Sequence, residues 1–158
     1  MMPTPLKETK PPCDSRINKR YGTLYEYLFI SEALRRDLEP HLPVGDYLPH
    51  DIVIYTHGGN CKRVQVKGTS TIVKRGGSVR YKVVAKQRRG SKVCPIDQTA
   101  VDVVACYVGP YDTWYLIPSS ELSMAGGVST LSIYMYPGNP ESTGQYEKYR
   151  DGWEIFNQ

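Results

Sequence analysis

Between residues 52 and 96 the chain carries 11 of its 20 Lys and Arg and no Asp or Glu, interleaved with Val, Ile and Tyr in runs that alternate apolar and polar. Alternation with a period of two is the pattern of a β-strand with one buried and one wet face. The stretch is therefore expected to fold as sheet, and that sheet must present a positive surface. Disordered basic tails lack such apolar residues. Outside the block the balance reverses, with 9 basic against 16 acidic residues.

Turn signals divide the block. DIVIYT and KRVQVKGT read as two strands of a hairpin joined at HGGN. STIVKR and SVRYKVVAK read as a second hairpin hinged at Gly76 and Gly77, where glycine enters left-handed turn conformations without penalty. Its second strand alternates Val79, Tyr81 and Val83 with Arg80 and Lys82. QRRGSK reads as a basic loop, followed by a short turn or helix starting near Asp97. VDVVACYV and TWYLIP are two more strands joined at GPYD, and STLSIYMY is another possible strand.

Helical periodicity occurs on either side of these strands. From Asn18 to Asp37, Leu24, Leu28 and Ala33 recur with Tyr25, Phe29 and Ile30 at helical spacing, and Pro40 and Pro43 prevent extension. Near the C-terminus Tyr146, Tyr149, Trp153 and Phe156 stand three and four residues apart, which predicts a helix packed onto the sheet. The first 15 residues combine prolines and charges without apolar periodicity and are expected to be flexible, so one domain over 16–158 follows from 158 residues at 40% hydrophobic.

The composition narrows the function classes. No apolar run approaches the ~20 residues that span a bilayer, and no apolar leader follows a charged start. Cys13, Cys61, Cys94 and Cys106 show no CxxC spacing, and His41, His50 and His57 form no paired zinc motif. A soluble, cytoplasmic protein with free thiols is the expectation. The one-sign block exceeds what solubility requires and favours nucleic-acid binding.

Cutting a phosphodiester needs oxygen ligands for a divalent metal, a group that positions or activates water, and positive charge facing the phosphate. The first hairpin holds all three. Asp51 heads one strand, and Gln65 and Lys67, two apart on its partner, share one face. Alone, a D…QxK spacing is common by chance. A helix carboxylate preceding it, Glu26, and the basic block turn those odds. Glu32 reads instead as a surface residue pairing with Arg35 or Arg36. Asp102 reads as a hydrogen-bonded structural aspartate, Asp97 as a cap, and His50 as satisfied or exposed, facing away from Asp51.

In Glu26 on the first helix, Asp51 after Pro49, and Gln65-Val66-Lys67, the chain resembles the PD-(D/E)XK nuclease superfamily. Within it the chain is most similar to the small family of group I intron-encoded homing endonucleases with a Q-x-K variant, through IDxxxVDVVACYV, WYLIP and the C-terminal YxxxW, over most of residues 20–156. The resemblance implies an α/β, restriction-endonuclease-like core: a mixed central β-sheet flanked by an N-terminal and a C-terminal helix. It implies an Mg2+-dependent endonuclease acting on double-stranded DNA. Asp51 would be the principal metal ligand, the Val66 carbonyl a second, and Glu26 would act through the metal or its waters. Lys67 would position or help deprotonate the attacking water. As a base it needs a lowered pKa; otherwise it stabilises the phosphate electrostatically. Gln65 departs from the usual acid and lowers the charge available to hold a cation, yet keeps a carbonyl oxygen able to coordinate.

Lys74, Arg75, Arg80 and Lys82 stand on a ribbon of a width that the DNA major groove admits, with Arg88, Arg89 and Lys92 for phosphates. One site cuts one strand, so double-strand cleavage calls for a homodimer or homotetramer. The rival expectations are a Holliday junction resolvase, restriction or repair nuclease with the same residues, a non-catalytic nucleic-acid-binding module with a decayed site, and a tyrosine-rich structural protein.

Overall fold

A computed structural model describes residues 15–89, 91–122 and 132–158. Residues 1–14, expected above to be flexible, and the start of the STLSIYMY strand lie outside the described residues. The chain opens with helix α1 (Ser15–Arg35). It stops in a Schellman arrangement: the amides of Asp37 and Leu38 reach back to the carbonyls of Leu34 and Ala33 at 3.2 and 3.1 Å, and Asp37 takes φ 58°. The next strand, β1 (Glu39–His41), was not foreseen.

β2 (Ile52–Tyr55) and β3 (Cys61–Thr69) form the expected hairpin, with Ile52 opposite Val64. The second hairpin follows as β4 (Ile72–Arg75) and β5 (Ser78–Val84), turning at Gly76 and Gly77 with φ 55° and 79°. Only Tyr81 and Val83 of its apolar set are buried; Val79, near the tip, is exposed. The basic segment read as a loop is instead a hairpin, β6 (Lys86–Arg89) with β7 (Lys92–Pro95). An Asx turn follows, in which Asp97 Oδ1 accepts the Thr99 amide at 2.9 Å.

β8 (Val103–Val108) and β9 (Thr113–Pro118) complete a mixed sheet of order β1-β2-β3-β8-β9, parallel only between β3 and β8. The three-stranded sheet β10-β5-β4, with β10 at Ser132–Met135, is antiparallel. Its Tyr81, Val83, Ile133 and Met135 pack with Val104, Cys106, Tyr115 and Ile117 of the main sheet. On the opposite face Phe29 and Ala33 of α1 meet Ile52, Ile54, Val64, Val66, Ala105 and Leu116. β8 and β9 are thus covered on both faces, which is why they read as near-continuous apolar runs.

Two expectations change. The stripe of α1 that enters the core is Tyr25, Phe29 and Ala33 with Ile30, whereas Leu24 and Leu28 face outward. The C-terminal aromatics do not share one helix. Tyr149 lies on one short 3₁₀ turn, Glu147–Tyr149, with Tyr146 just before it, and Trp153 and Phe156 lie on a second, Trp153–Asn157, the two broken at Asp151 (φ 48°) and Gly152. Tyr146 joins the core on one face and Trp153 and Phe156 the core on the other. The chain wraps the β9 edge between them, where the Asp151 amide donates to the Trp114 carbonyl at 2.7 Å.

Candidate active site

The site forms where β2 stops and β3 continues. The Asp51 amide makes the last rung, donating to the Val64 carbonyl at 2.9 Å. Beyond that rung β3 pairs only with β8, so its other edge is open. The Asp51 carboxylate closes the first open position, its Oδ2 accepting the Val66 amide at 2.7 Å. A strand residue turns its N–H and C=O to the same side, so the Val66 carbonyl also points to this edge.

Side-chain alternation then sorts β3. Val64 and Val66 enter the core beneath α1, and Gln65 and Lys67 take the opposite face, the side on which Asp51 begins its strand. Gln65 is buried, and its Oε1 is enclosed without a hydrogen-bond partner. Lys67 stands opposite Cys106 of β8. Burial pushes the Cys106 thiol up to about 12, against a smaller downward pull from the Lys67 charge, so Cys106 is a packing residue and not a nucleophile.

Glu26 arrives from α1 across the open edge. The helix is seated by Tyr25, whose ring lies over Gly68: a Cβ there would fall 2.3–2.5 Å from three ring carbons. Gly68 therefore permits close approach of helix to strand, one residue from Lys67 and, on the helix, one residue from Glu26. Burial raises the Glu26 carboxyl above its ordinary range; the Asp51 charge adds to this and Lys67 opposes it. Burial likewise raises Asp51, partly offset by the Val66 hydrogen bond, Lys67 and His50. His50 is half-buried with Nδ1 unpartnered, neither satisfied nor exposed as the sequence led one to expect.

The donor set fits a hard divalent cation. Two carboxylates raised by burial, a backbone carbonyl on an open edge and an orphaned amide oxygen are all oxygen ligands of the kind such ions select. No group of three or more His, Cys, Asp or Glu side chains gathers among the described residues, so a neutral oxygen such as that of Gln65 would complete the set.

A family model for PD-(D/E)XK endonucleases matches residues 17–153. The chain belongs to the PD-(D/E)XK endonuclease family. This PD-(D/E)XK endonuclease also resembles a solved bacterial homing endonuclease, I-Ssp6803I, with a TM-score of 0.71 and 22% identity over 89% of this chain and 93% of that one. At that identity the likeness concerns the fold. No curated protein matches the chain in sequence.

The basic residues of the endonuclease divide by position. Arg63 is committed internally: its Nε and Nη2 grip Asp102 Oδ2 and Oδ1, both at 2.9 Å, and its amide donates to the same carboxylate at 2.8 Å. That pair ties β3 to the approach to β8, as expected of a structural Asp102, and lowers its carboxyl. Glu32 likewise pairs with Arg36 at 2.9 Å. Lys74 and Arg75 are exposed at the β4–β5 tip. Arg80 lies 3.9 Å over the Tyr134 ring, with Lys82 6.0 Å from it, on the face turned away from the core. Arg88, Arg89 and Lys92 are on β6 and β7; their side chains are outside the described residues. Sequence reasoning missed the seating of Tyr25 on Gly68, although a glycine inside a strand run was the available signal.

Proposed function

We propose that residues 16–158 act as one Mg2+-dependent, site-specific DNA endonuclease domain of the homing type. The observation that carries this reading is the convergence of Asp51, Glu26, Lys67 and the unpartnered Gln65 Oε1 at the open edge of β3. Asp51, Glu26 and the Val66 carbonyl would hold the magnesium, with Gln65 available as a further oxygen ligand. When bound there, the ion would polarise the phosphate and acidify a water. Asp51, fixed by the Val66 amide, presents one oriented carboxylate. Lys67 extends from the same face and positions the attacking water against the scissile phosphate, adding positive charge where negative charge accumulates. The β4–β5 ribbon, through Lys74, Arg75, Arg80 and Lys82, enters the major groove, and Arg88, Arg89 and Lys92 contact phosphates.

Cys61, Cys94 and Cys106 are free, which suits action in a reducing compartment such as the cytoplasm; no helix among the described residues is long and apolar enough to cross a membrane. The deciding experiment is Mg2+-dependent nicking of supercoiled plasmid and cleavage of a random duplex library by wild type, Asp51→Ala and Lys67→Ala at equal, verified folding. Cleavage by wild type with loss in both variants supports the reading and returns the target. Cleavage of branched DNA alone replaces homing by junction resolution, and metal-independent binding without cleavage of any DNA replaces it by a binding module.

A further inference from the structure

The three-stranded sheet has an outward face, and one of its cations is held in place there by a third strand. Tyr81, Val83, Ile133 and Met135 are buried against the main sheet, so strand alternation turns Arg80 and Lys82 of β5 and Tyr134 of β10 outward. Tyr134 stands opposite Lys82 in the register, which makes Arg80 its diagonal neighbour, within reach of a long side chain. The Arg80 Cζ lies 3.9 Å from the centre of the Tyr134 ring, against 6.0 Å for the Lys82 Nζ. This stack restrains a side chain that is otherwise rich in rotamers. Arg80 is half-buried, and its Nε is enclosed without a hydrogen-bond partner. Its two Nη groups reach the surface with no acceptor among the described residues. A guanidinium grips a planar pair of acceptors either through Nε and one Nη or end-on through both Nη groups. With Nε enclosed, the end-on fork is the one left to Arg80. No Asp or Glu between residues 52 and 96 competes for it.

We propose that Arg80 is the specificity-determining residue of this face, donating its Nη fork to O6 and N7 of a guanine in the major groove, and that Tyr134 is its positioning residue. The choice of base follows from the donors. Arginine has donors and no acceptor. Guanine alone sets two acceptors side by side on its major-groove edge; adenine puts an amino donor beside N7, thymine a methyl group beside O4, and cytosine shows a donor. The choice of base over phosphate follows from the stack. A phosphate is held well by a mobile point charge, whereas reading a base requires a fork fixed in direction. Lys74 and Arg75, exposed at the hairpin tip, suit the phosphates. The inference rests on the duplex DNA substrate proposed above and names the base that this sheet selects within it.

The test is selection of a random duplex library by the full chain, by binding in EDTA and by cleavage in Mg2+, with sequencing of the selected DNA. Wild type, Arg80→Lys, Tyr134→Leu and Tyr134→Phe are compared, with circular dichroism as the folding check. Wild type should select a guanine whose preference falls about ten- to a hundredfold in Arg80→Lys, while the preferences at other positions persist, since one bidentate pair carries that much discrimination. A merely structural loss would lower all positions alike. Tyr134→Leu should lose about fivefold of the same preference, and Tyr134→Phe, which keeps the ring, should retain it. Replacing the selected guanine by 7-deazaguanine, which lacks the N7 acceptor, should weaken wild-type binding about tenfold; this arm needs no variant to fold. Loss spread evenly over all sequences, with the slope of log K against log salt lowered by about 1, makes Arg80 a phosphate contact and overturns the guanine assignment. Full discrimination in Tyr134→Leu overturns the role of Tyr134. Guanine selection by binding with no cleavage of any DNA sinks the endonuclease reading alone. Cleavage at a target whose base preferences are the same in Arg80→Lys sinks this inference alone.

Discussion

Asp51 and Glu26 illustrate how a site is set against the stability of the fold that carries it. Burial raises both carboxyls, and the Asp51 charge raises Glu26 further. The folded chain therefore binds these protons more tightly than the unfolded one, so stability is fullest below the ordinary carboxylate range and falls as pH rises through the raised values. Asp51→Asn removes that loss and keeps an oxygen for the Val66 amide. In EDTA its denaturant midpoint at neutral pH should exceed that of wild type, with the two converging at acid pH; a variant no more stable at neutral pH would refute the argument. By the proposed assignment the same change also removes a metal ligand, a loss expected at several kcal/mol in the transition state, so cleavage should fall on the order of a thousandfold. Gly68 acts by absence of a side chain. Gly68→Ala puts a Cβ against the Tyr25 ring, which should cost roughly 1–3 kcal/mol as overpacking. It should also slow cleavage about a hundredfold as Glu26 is displaced. Tyr25→Leu in the same chain should restore part of the rate, and full activity in the single variant would show that helix placement is not critical.

At the scale of elements, the role proposed for the β4–β5 hairpin is separable from chemistry. Lys74 and Arg75 sit at its exposed tip. Lys74→Ala and Arg75→Ala should each weaken DNA binding across sequences and lower the slope of log K against log salt by about 1. Fluorescence anisotropy over a salt series measures this; unchanged slopes would place the duplex elsewhere. Helix α1 shows where element-level reading fails. Residues 24 and 28 and residues 25 and 29 are both apolar at helical spacing, so periodicity identifies the helix without choosing the face that packs. The C-terminal aromatics fail for a related reason. Their spacing is helical, but Asp151 turns the chain around the β9 edge, so two partners lie on each side of the sheet.

At the scale of the whole molecule, a cation held at the proposed site should stabilise the fold that carries it. By the proposed assignment magnesium would relieve the mutual repulsion of Glu26 and Asp51, so it should raise the unfolding free energy by about 2.7 kcal/mol at a hundredfold excess over its Kd. Asp51→Ala should lose that shift, which differential scanning fluorimetry with and without EDTA detects. The hairpins, the central strands, the D…QxK spacing and the structural role of Asp102 were legible in the residues, because strand alternation and turn chemistry are local. The expectation that Glu26 of the first helix would come near Asp51 and Lys67 also matches its placement. Three features waited for the tertiary structure: the basic segment 86–95 as a hairpin, the face of α1 that packs inward, and the seating of Tyr25 on Gly68. Each depends on which surface arrives opposite which, and a one-dimensional pattern records what a segment can bury without recording what comes to cover it.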